Sequence, residues 1–347
     1  MPKHQWRKRS CENLNQREGF PSSPLASVNQ ESLRGSASRT SSAPVSDETS
    51  PEQKATAPRY GVAEIYGQDF AQLPAEEIRR FATAKNTDQL CRFVGKPCNK
   101  PRGVCTLRRY GKSGNAIASL DTQLVTTCPR RFAEGDAVSK WIGSTLLGTA
   151  APAKVTEVDF LQGPAIEDDD EGEPVGRIDN ILLAPGTTPL VWCAVEMQSV
   201  YFSGRGMKTQ YEEFAAWAGP GVPWPNETRR PDFRSSGPKR LMPQLQTKVP
   251  TLRRWGKKMA VVTDRAFFEN MGAMEEVPDV SNCDIVWFVV DYKPSDLGFE
   301  LVPHAHHFIT LERAIEGLIA GEPVSLDEFE RRITAKLLRP PKKGRAR

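Results

Sequence analysis

The fold is decided by residues 175–198, whose sequence is VGRIDNILLAPGTTPLVWCAVEMQ. Residues 175–183 and 190–197 are rich in β-branched and apolar side chains, so each run predicts a β-strand. The proline, glycine and threonine residues between the two runs are typical of a turn. Because this connection is too short for a crossover helix, the two strands are predicted to pair antiparallel.

Further elements are predicted on both sides of this hairpin. Before it, residues 131–147 have the apolar spacing of an amphipathic helix, and residues 153–161 have the composition of a strand. After it, the patterns predict helices at 204–217 and 310–338 and strands at 258–263 and 284–291. The order helix, three-strand meander, helix, strand indicates an α/β fold with a mixed central sheet flanked by helices.

The 347-residue chain is predicted to have three parts. Residues 1–58 contain eleven serines and six prolines without apolar periodicity, which is typical of a disordered arm. Residues 59–130 carry a cluster of cysteines and are expected to form a metal-binding module that faces DNA. Residues 131–340 are expected to form the core around the central sheet.

Composition limits the class of protein. No segment approaches the roughly 18 consecutive apolar residues of a membrane span, so we expect a cytosolic protein without a membrane partner. The formal net charge is only +4, which does not by itself indicate nucleic-acid binding. The distribution of charge along the chain has to decide that question.

Two carboxylates in the hairpin are the candidate catalytic residues. Side chains alternate along a strand, so Glu196 and Gln198 share one face while Val195 and Met197 share the other. Asp179 lies in an apolar strand, where an ionised carboxylate needs a cation or a donor. The paired strands would let Asp179 and Glu196 hold one divalent cation and leave positions for water and phosphate. In the alternative interpretation, both carboxylates form salt bridges or lie at strand ends.

Four cysteines lie close together in the sequence, with the spacing C-x6-C-x6-C-x22-C. These are Cys91, Cys98, Cys105 and Cys128. Four thiolates suit tetrahedral zinc or iron, and four unrelated buried thiols are the alternative. Residues 91–131 contain nine Lys or Arg residues against one acid, and residues 229–258 contain ten against one. Such local basic stretches favour contact with DNA phosphates.

The carboxylate hairpin resembles the PD-(D/E)xK nuclease fold. In that fold an acidic residue on the second strand, here Asp179, and a (D/E)-x-K motif on the third, here beginning at Glu196, form the active site. Two positions depart from the pattern, because Ile178 replaces the proline and Gln198 replaces the lysine. Glu134 resembles an extra acidic ligand that some members use, or is an exposed helical residue. Glu157, on the first strand, is a weaker candidate for that role.

The cysteines and the carboxylates together resemble the NotI-type Type II restriction endonucleases. The segments that carry the resemblance are Cys91-Arg92-Phe93, Pro97-Cys98, Gly103-Val104-Cys105 and Thr127-Cys128-Pro129, followed by Asp179 and Glu196-x-Gln198. The resemblance implies that the four cysteines bind iron, or zinc in its place. It also implies that Asp179, Glu196 and Gln198 are catalytic.

The function implied by this resemblance is restriction of DNA in the cytoplasm of a prokaryote. A homodimer would cut duplex DNA at a GC-rich palindrome, as part of restriction-modification, with Mg²⁺ at Asp179 and Glu196. One alternative is a catalytically inactive, metal-stapled DNA-binding protein that has kept the nuclease fold. A structural or RNA-processing protein is a second alternative.

Overall fold

The structure is a computed structural model that describes residues 56–113, 116–119, 123–163, 174–204, 207–296, 298–321 and 323–338. Most of the arm predicted at residues 1–58 therefore lies outside the described residues. The described residues belong to one compact unit. The boundary predicted at residue 130, between the cysteine module and the core, stays a prediction.

The first sheet is antiparallel, and its strands lie between residues 56 and 126. Its strands are β1 (Thr56–Ile65), β2 (Gln68–Asp69), β3 (Val104–Ser113), β4 (Ala116–Ser119) and β5 (Val125–Thr126). Their order is β2-β1-β3-β4, and β5 also pairs with β3. Helix α1 (Ala75–Thr83) follows β2 and buries Ile78, Phe81 and Ala82. Its first-turn carboxylates, Glu76 and Glu77, suit the positive end of the helix dipole.

The second sheet is mixed, as the sequence predicts. The remaining strands of the chain are β6 (Ala153–Gln162), β7 (Pro174–Leu183), β8 (Trp192–Met197), β9 (Phe202–Ser203), β10 (Arg230–Pro231), β11 (Met259–Asp264), β12 (Ile285–Ser295) and β13 (Gly298–Ile309). Six of them form this central sheet in the order β13-β12-β11-β8-β7-β6, while β9 and β10 pair separately. Strands β8, β11 and β12 are parallel, and the other pairs are antiparallel. The predicted antiparallel hairpin of β7 and β8 is confirmed.

Helices cover both faces of the central sheet. The helices after α1 are α2 (Ala137–Ile142), α3 (Lys208–Ala215), α4 (Phe233–Ser236), α5 (Met242–Arg254), α6 (Arg265–Glu269), α7 (Leu311–Ile319) and α8 (Leu326–Leu337). Of these, α2 packs on one face of the central sheet, and α5 and α7 pack on the other. Cys193 and Val195 pack on the α2 side, whereas Ala194 packs on the side of α5 and α7. The alternation of faces predicted for β8 is therefore confirmed. No helix in the described ranges is long and apolar enough to cross a membrane.

Two predicted helices are interrupted. The helix predicted at 131–147 is a 3-10 segment (Pro129–Asp136), then α2, then a π-helical turn (Gly143–Leu147). The interruption occurs because Gly135 and Asp136 adopt φ of 58° and 55°, which helices exclude. The helix predicted at 310–338 is divided into α7 and α8, since Ala320 adopts a φ of 48°.

The two sheets meet at a buried carboxylate. Asp264, at the end of β11, accepts hydrogen bonds from the backbone N–H of Thr126 at 2.6 Å and of Phe267 at 2.7 Å. The Thr126 hydroxyl lies 2.7 Å from the Tyr292 hydroxyl, and the Thr126 carbonyl accepts from the N–H of Val200 at 2.7 Å. These bonds hold β5 and the adjoining cysteine segment beside the end of β8, where the candidate catalytic residues lie.

Candidate active site

The strand register places the two predicted carboxylates opposite each other. Asn180 of β7 pairs with Val195 of β8, so Asp179 and Glu196 occupy the next position on each strand. Opposite residues in an antiparallel pair project from the same face. Asp179 keeps 58% of its side chain exposed, whereas Glu196 keeps 12%. The hairpin therefore supplies one carboxylate open to solvent and one within the protein.

A lysine that sequence reasoning did not select joins the two carboxylates. Lys248 of α5 places Nζ 2.8 Å from Oε2 of Glu196 and 3.4 Å from Oδ2 of Asp179. Its side chain is only 4% exposed, because the neighbouring apolar residues Leu245, Val249 and Leu252 press α5 against the sheet. Asp179, Glu196 and Lys248 are named here the carboxylate–lysine cluster.

The sequence does contain a signal for Lys248. It lies between Leu245 and Leu252, at helical spacing on the stripe that α5 buries. A charged residue in such a stripe is costly to bury unless an opposite charge meets it. A lysine in the apolar pattern of a helix therefore indicates a buried ionic partner, although the pattern does not identify that partner.

The electrostatics of the cluster depend on burial. Burial raises the pKa of Glu196, the positive charge of Lys248 acts to lower it, and the negative charge of Asp179 raises it. Lys248 is thus the positive charge that favours an ionised Glu196 inside the protein. Carboxylate oxygens are the ligands that a hard divalent cation prefers.

Gln198 lies just beyond the end of β8. Its backbone N–H donates to the carbonyl of Val262 at 2.9 Å, and its side-chain amide N–H donates to the carbonyl of Ser199 at 2.5 Å. Glu196 and Gln198 both line a cavity of about 250 Å³. Met197, which strand alternation places on the other face, lines the same cavity, so the location does not test the predicted sharing of a face.

The cavity beside Glu196 has cationic walls. Lys100, from the cysteine segment, and Arg240, just before α5, both line it. Lys100 donates to the carbonyl of Thr127. Arg240 stacks on the Tyr201 ring at 3.5 Å. Positive groups from two distant parts of the chain therefore line the space next to the buried carboxylate.

Glu134 is not placed beside the other candidate residues. Its carboxylate accepts from Nη1 of Arg131 at 2.8 Å and from the N–H of Leu301 at 2.7 Å. Arg131 is fully buried and also pairs with Glu64 at 2.9 Å. Leu301 belongs to β13, at the opposite edge of the central sheet from the β6–β7 pair. The expected extra acidic ligand is thus instead part of an ionic network that links the two sheets.

Glu157 also lies outside the carboxylate–lysine cluster. It is 72% exposed on the edge strand β6, and its carboxylate is 3.8 Å from Arg177. Its φ of 58° is unusual for a residue that is not glycine. Its neighbours Thr156 and Val158 pair with Asn180 and Ile178, so Glu157 occupies the position on β6 opposite Asp179. A catalytic role of Glu157 stays a prediction.

The four cysteines are buried free thiols, each about 6% exposed. Cys98 donates its N–H to the carbonyl of Gln89, and Cys128 donates its N–H to the carbonyl of Cys105. Burial raises the pKa of the Cys105 and Cys128 thiols. Among the residues that the structure describes, no group of three or more His, Cys, Asp or Glu side chains is arranged to hold a metal ion. The predicted iron or zinc therefore has no support from the geometry.

The basic stretch at residues 229–258 serves partly as internal support. Lys248 pairs with the two carboxylates, Arg253 pairs with Asp284 at 2.5 Å, and Lys258 donates to the carbonyl of Ser281. The exposed cations of this stretch include Arg230, Arg234, Lys239 and Arg240. The number of basic residues therefore overstates the charge available to a polyanion.

Comparison with known families supplies the class of protein. A family model described as "Restriction endonuclease NotI" matches residues 65–301, which is more than half of the chain. The chain is thus a restriction endonuclease, a nuclease that acts on DNA. It belongs to the NotI restriction endonuclease family. No curated protein matches the chain.

Proposed function

We propose that this protein hydrolyses phosphodiester bonds of duplex DNA with Mg²⁺ at the carboxylate–lysine cluster. The observation that carries the proposal is the position of Lys248, whose ammonium group contacts both Asp179 and Glu196. The (D/E)-x-K motif would place a lysine at position 198, where this chain has glutamine. Lys248 therefore supplies from a helix the positive charge that the third strand lacks.

The cluster suits a hard cation. Mg²⁺ is commonly held by one or two carboxylates together with waters and substrate phosphate, and Asp179 and Glu196 provide two. When bound, Mg²⁺ lowers the pKa of a coordinated water and offsets the negative charge of the phosphate.

Each residue of the site has a separate task in this proposal. Lys248 favours the ionised form of Glu196 against the burial that raises the pKa of this carboxyl group, and the ionised carboxylate supplies a ligand oxygen. The Lys248 ammonium also stabilises the negative charge that develops on the phosphate. The amide oxygen of Gln198 accepts a hydrogen bond from the attacking water and orients it.

DNA binding is assigned to the cationic walls of the cavity. Lys100 and Arg240 line the cavity next to Glu196, where a phosphodiester would enter. Lysine and arginine contacts to phosphates supply affinity without reading sequence. We further propose that the enzyme acts as a homodimer on a GC-rich palindrome, because a two-fold symmetric site suits two identical subunits.

The alternative of an inactive DNA-binding protein finds no support in the family match. Iron or zinc at Cys91, Cys98, Cys105 and Cys128 stays a prediction that elemental analysis of the purified protein tests. One metal atom per chain, lost on mutation of a cysteine, would support it. A metal content near zero would support the alternative interpretation, in which the four cysteines are buried thiols that bind no metal.

Digestion of unmethylated, GC-rich genomic DNA tests the proposal. The wild-type protein with Mg²⁺ should give discrete fragments, and Asp179→Asn and Glu196→Gln should give none. Asp159→Asn is a matched control, because Asp159 lies on β6 and pairs with Arg177 at the surface. Equal cutting by all four proteins, or no cutting by the wild type with any divalent cation, would contradict the assignment.

A further inference from the structure

Helix α8 has no packing partner within the described structure. It spans Leu326–Leu337, and none of its side chains is buried. Its start is capped by Ser325, whose hydroxyl accepts from the N–H of Glu328 at 3.3 Å. A 12-residue helix is marginal in water unless its apolar face is buried. The apolar face of the helix is therefore free to contact something other than the described residues.

The apolar side chains of α8 form one continuous stripe. Leu326, Phe329, Ile333 and Leu337 are separated by three, four and four residues, the spacing of a single helix face. Their exposed fractions are 68%, 55%, 45% and 79%. We name this surface the α8 stripe. It lies outside residues 65–301, the part of the chain that the family model matches.

The charges of α8 are divided between its two ends. The acids Asp327, Glu328 and Glu330 occupy the first half, and the bases Arg331, Arg332 and Lys336 occupy the second. Glu328 pairs with Arg331 and Arg332 on its own helix. In the described part of the chain, Asp327, Glu330 and Lys336 take part in no ion pair. These three charges are therefore available to a partner helix.

We infer that the α8 stripe binds the same stripe of a second copy of this chain, with the two helices antiparallel. In that arrangement the acidic half of each helix lies beside the basic half of the other, and the helix dipoles also oppose. The apolar positions match as well, because Phe329 lies beside Ile333 of the partner subunit and Leu326 beside Leu337 of the partner subunit. A parallel pair would instead bring acids against acids.

The size of the surface indicates a reversible contact. A 12-residue helix is about 18 Å long, so a pair of such helices buries less than the roughly 800 Å² per partner of a standard interface. The pairing deepens the proposed dimeric function by naming its contact surface. It does not depend on catalysis, since it can be measured without DNA.

Sedimentation velocity of the full chain over a range of concentrations tests the pairing. The wild type should shift from the 38.6 kDa monomer toward a dimer as concentration rises. Phe329→Glu should raise the dissociation constant by at least about tenfold, because each copy brings a carboxylate into the apolar contact. Ala335→Glu is the matched control, since residue 335 lies on the opposite side of α8 and should leave the dimer intact.

A charge exchange tests the antiparallel orientation and does not depend on one variant folding correctly. The variants Asp327→Lys/Glu330→Lys and Arg332→Glu/Lys336→Glu should each be monomeric, and an equimolar mixture should form dimers. A wild type that stays monomeric, equal effects of Phe329→Glu and Ala335→Glu, or a mixture that stays monomeric would overturn the inference. Asp179→Asn should dimerise like the wild type, so loss of catalysis and loss of pairing are separable.

Discussion

Replacement of Lys248 by methionine is the most direct perturbation of the site. Methionine keeps most of the apolar stem but removes the ammonium group that lies 2.8 Å from Glu196 and 3.4 Å from Asp179. Loss of one preorganised group that stabilises transition-state charge costs about 10²- to 10³-fold in kcat. We expect a decrease of that size in single-turnover cleavage of a fragment that the wild-type enzyme cuts.

The same variant should change the pH dependence of cleavage. Burial already raises the pKa of Glu196, and Lys248 acts in the opposite direction. Without Lys248 the pKa rises further, so the acidic limb of the rate profile should move to higher pH. Lys248→Arg keeps the charge and should retain more activity than Lys248→Met.

The stability of Lys248→Met should depend on pH with a defined sign. A carboxyl group with a raised pKa in the folded state favours folding at low pH, and this contribution is lost as pH rises through that pKa. The free energy of unfolding of Lys248→Met should therefore be slightly below that of the wild type in acid and about 3 kcal/mol below it near neutral pH. This value is the lower end of the cost of breaking a buried ion pair. Urea unfolding at several pH values measures it.

Lys239→Met is the control for these measurements, because Lys239 is an exposed lysine of the same basic stretch. Cleavage by Lys248→Met at the wild-type rate, with an unchanged pH profile and saturating Mg²⁺, would refute the assignment of Lys248. Loss of binding to DNA without loss of single-turnover rate would refute it equally, because the lysine would then be a phosphate contact only.

Three further predictions concern other residues. The double variant Gln198→Lys/Lys248→Met should cleave DNA at least about tenfold faster than Lys248→Met, because a cation returns to the same carboxylates. Equal rates would show that a lysine at position 198 cannot replace Lys248. Glu134→Ala should change the rate of cleavage by no more than about twofold and lower the melting temperature, because Glu134 binds Arg131 and Leu301 rather than the cluster. A hundredfold loss of rate would instead indicate that Glu134 is catalytic. Burial raises the pKa of Asp264 from 3.8 to about 6, so its contribution to stability is complete below about pH 4 and lost as pH rises through 6. Asp264→Asn should remove this pH-dependent loss of about 3 kcal/mol, which follows from 1.36 kcal/mol per pKa unit. If the free energy of unfolding of the variant falls between pH 4 and 7 as steeply as that of the wild type, the prediction is wrong.

Local pattern was sufficient for β6, β7, β8, β11 and β12 and for the faces of β8, whereas β13 and the strands of the first sheet were not predicted. The period of two along β8 separates Glu196 from Val195 whatever the rest of the chain does. The short connection between β7 and β8 then leaves antiparallel pairing as the simple arrangement, and the register brings Asp179 opposite Glu196. This part of the candidate site could therefore be predicted from 24 consecutive residues.

Other features depended on backbone breaks that the apolar pattern does not show. Periodicity continues through residues 131–147, yet positive φ at Gly135 and Asp136 divides the segment. The break turns Glu134 toward Arg131 and the N–H of Leu301. The side chain of an acidic residue on a continuous helix has a different direction from that of the same residue placed just before a break in the helix. The partner of Glu134 could therefore not be predicted.

The sequence by itself determined the α/β fold class, the carboxylate hairpin and the membership of a restriction endonuclease family. Only the tertiary structure decided which positive charge meets those carboxylates. Lys248 lies 52 positions after Glu196 on a different kind of element, and it reaches the strand because Leu245, Val249 and Leu252 seat α5 on that face of the sheet. Strand alternation is a local property of the backbone, whereas this contact results from packing between a helix and a sheet, which no local period encodes.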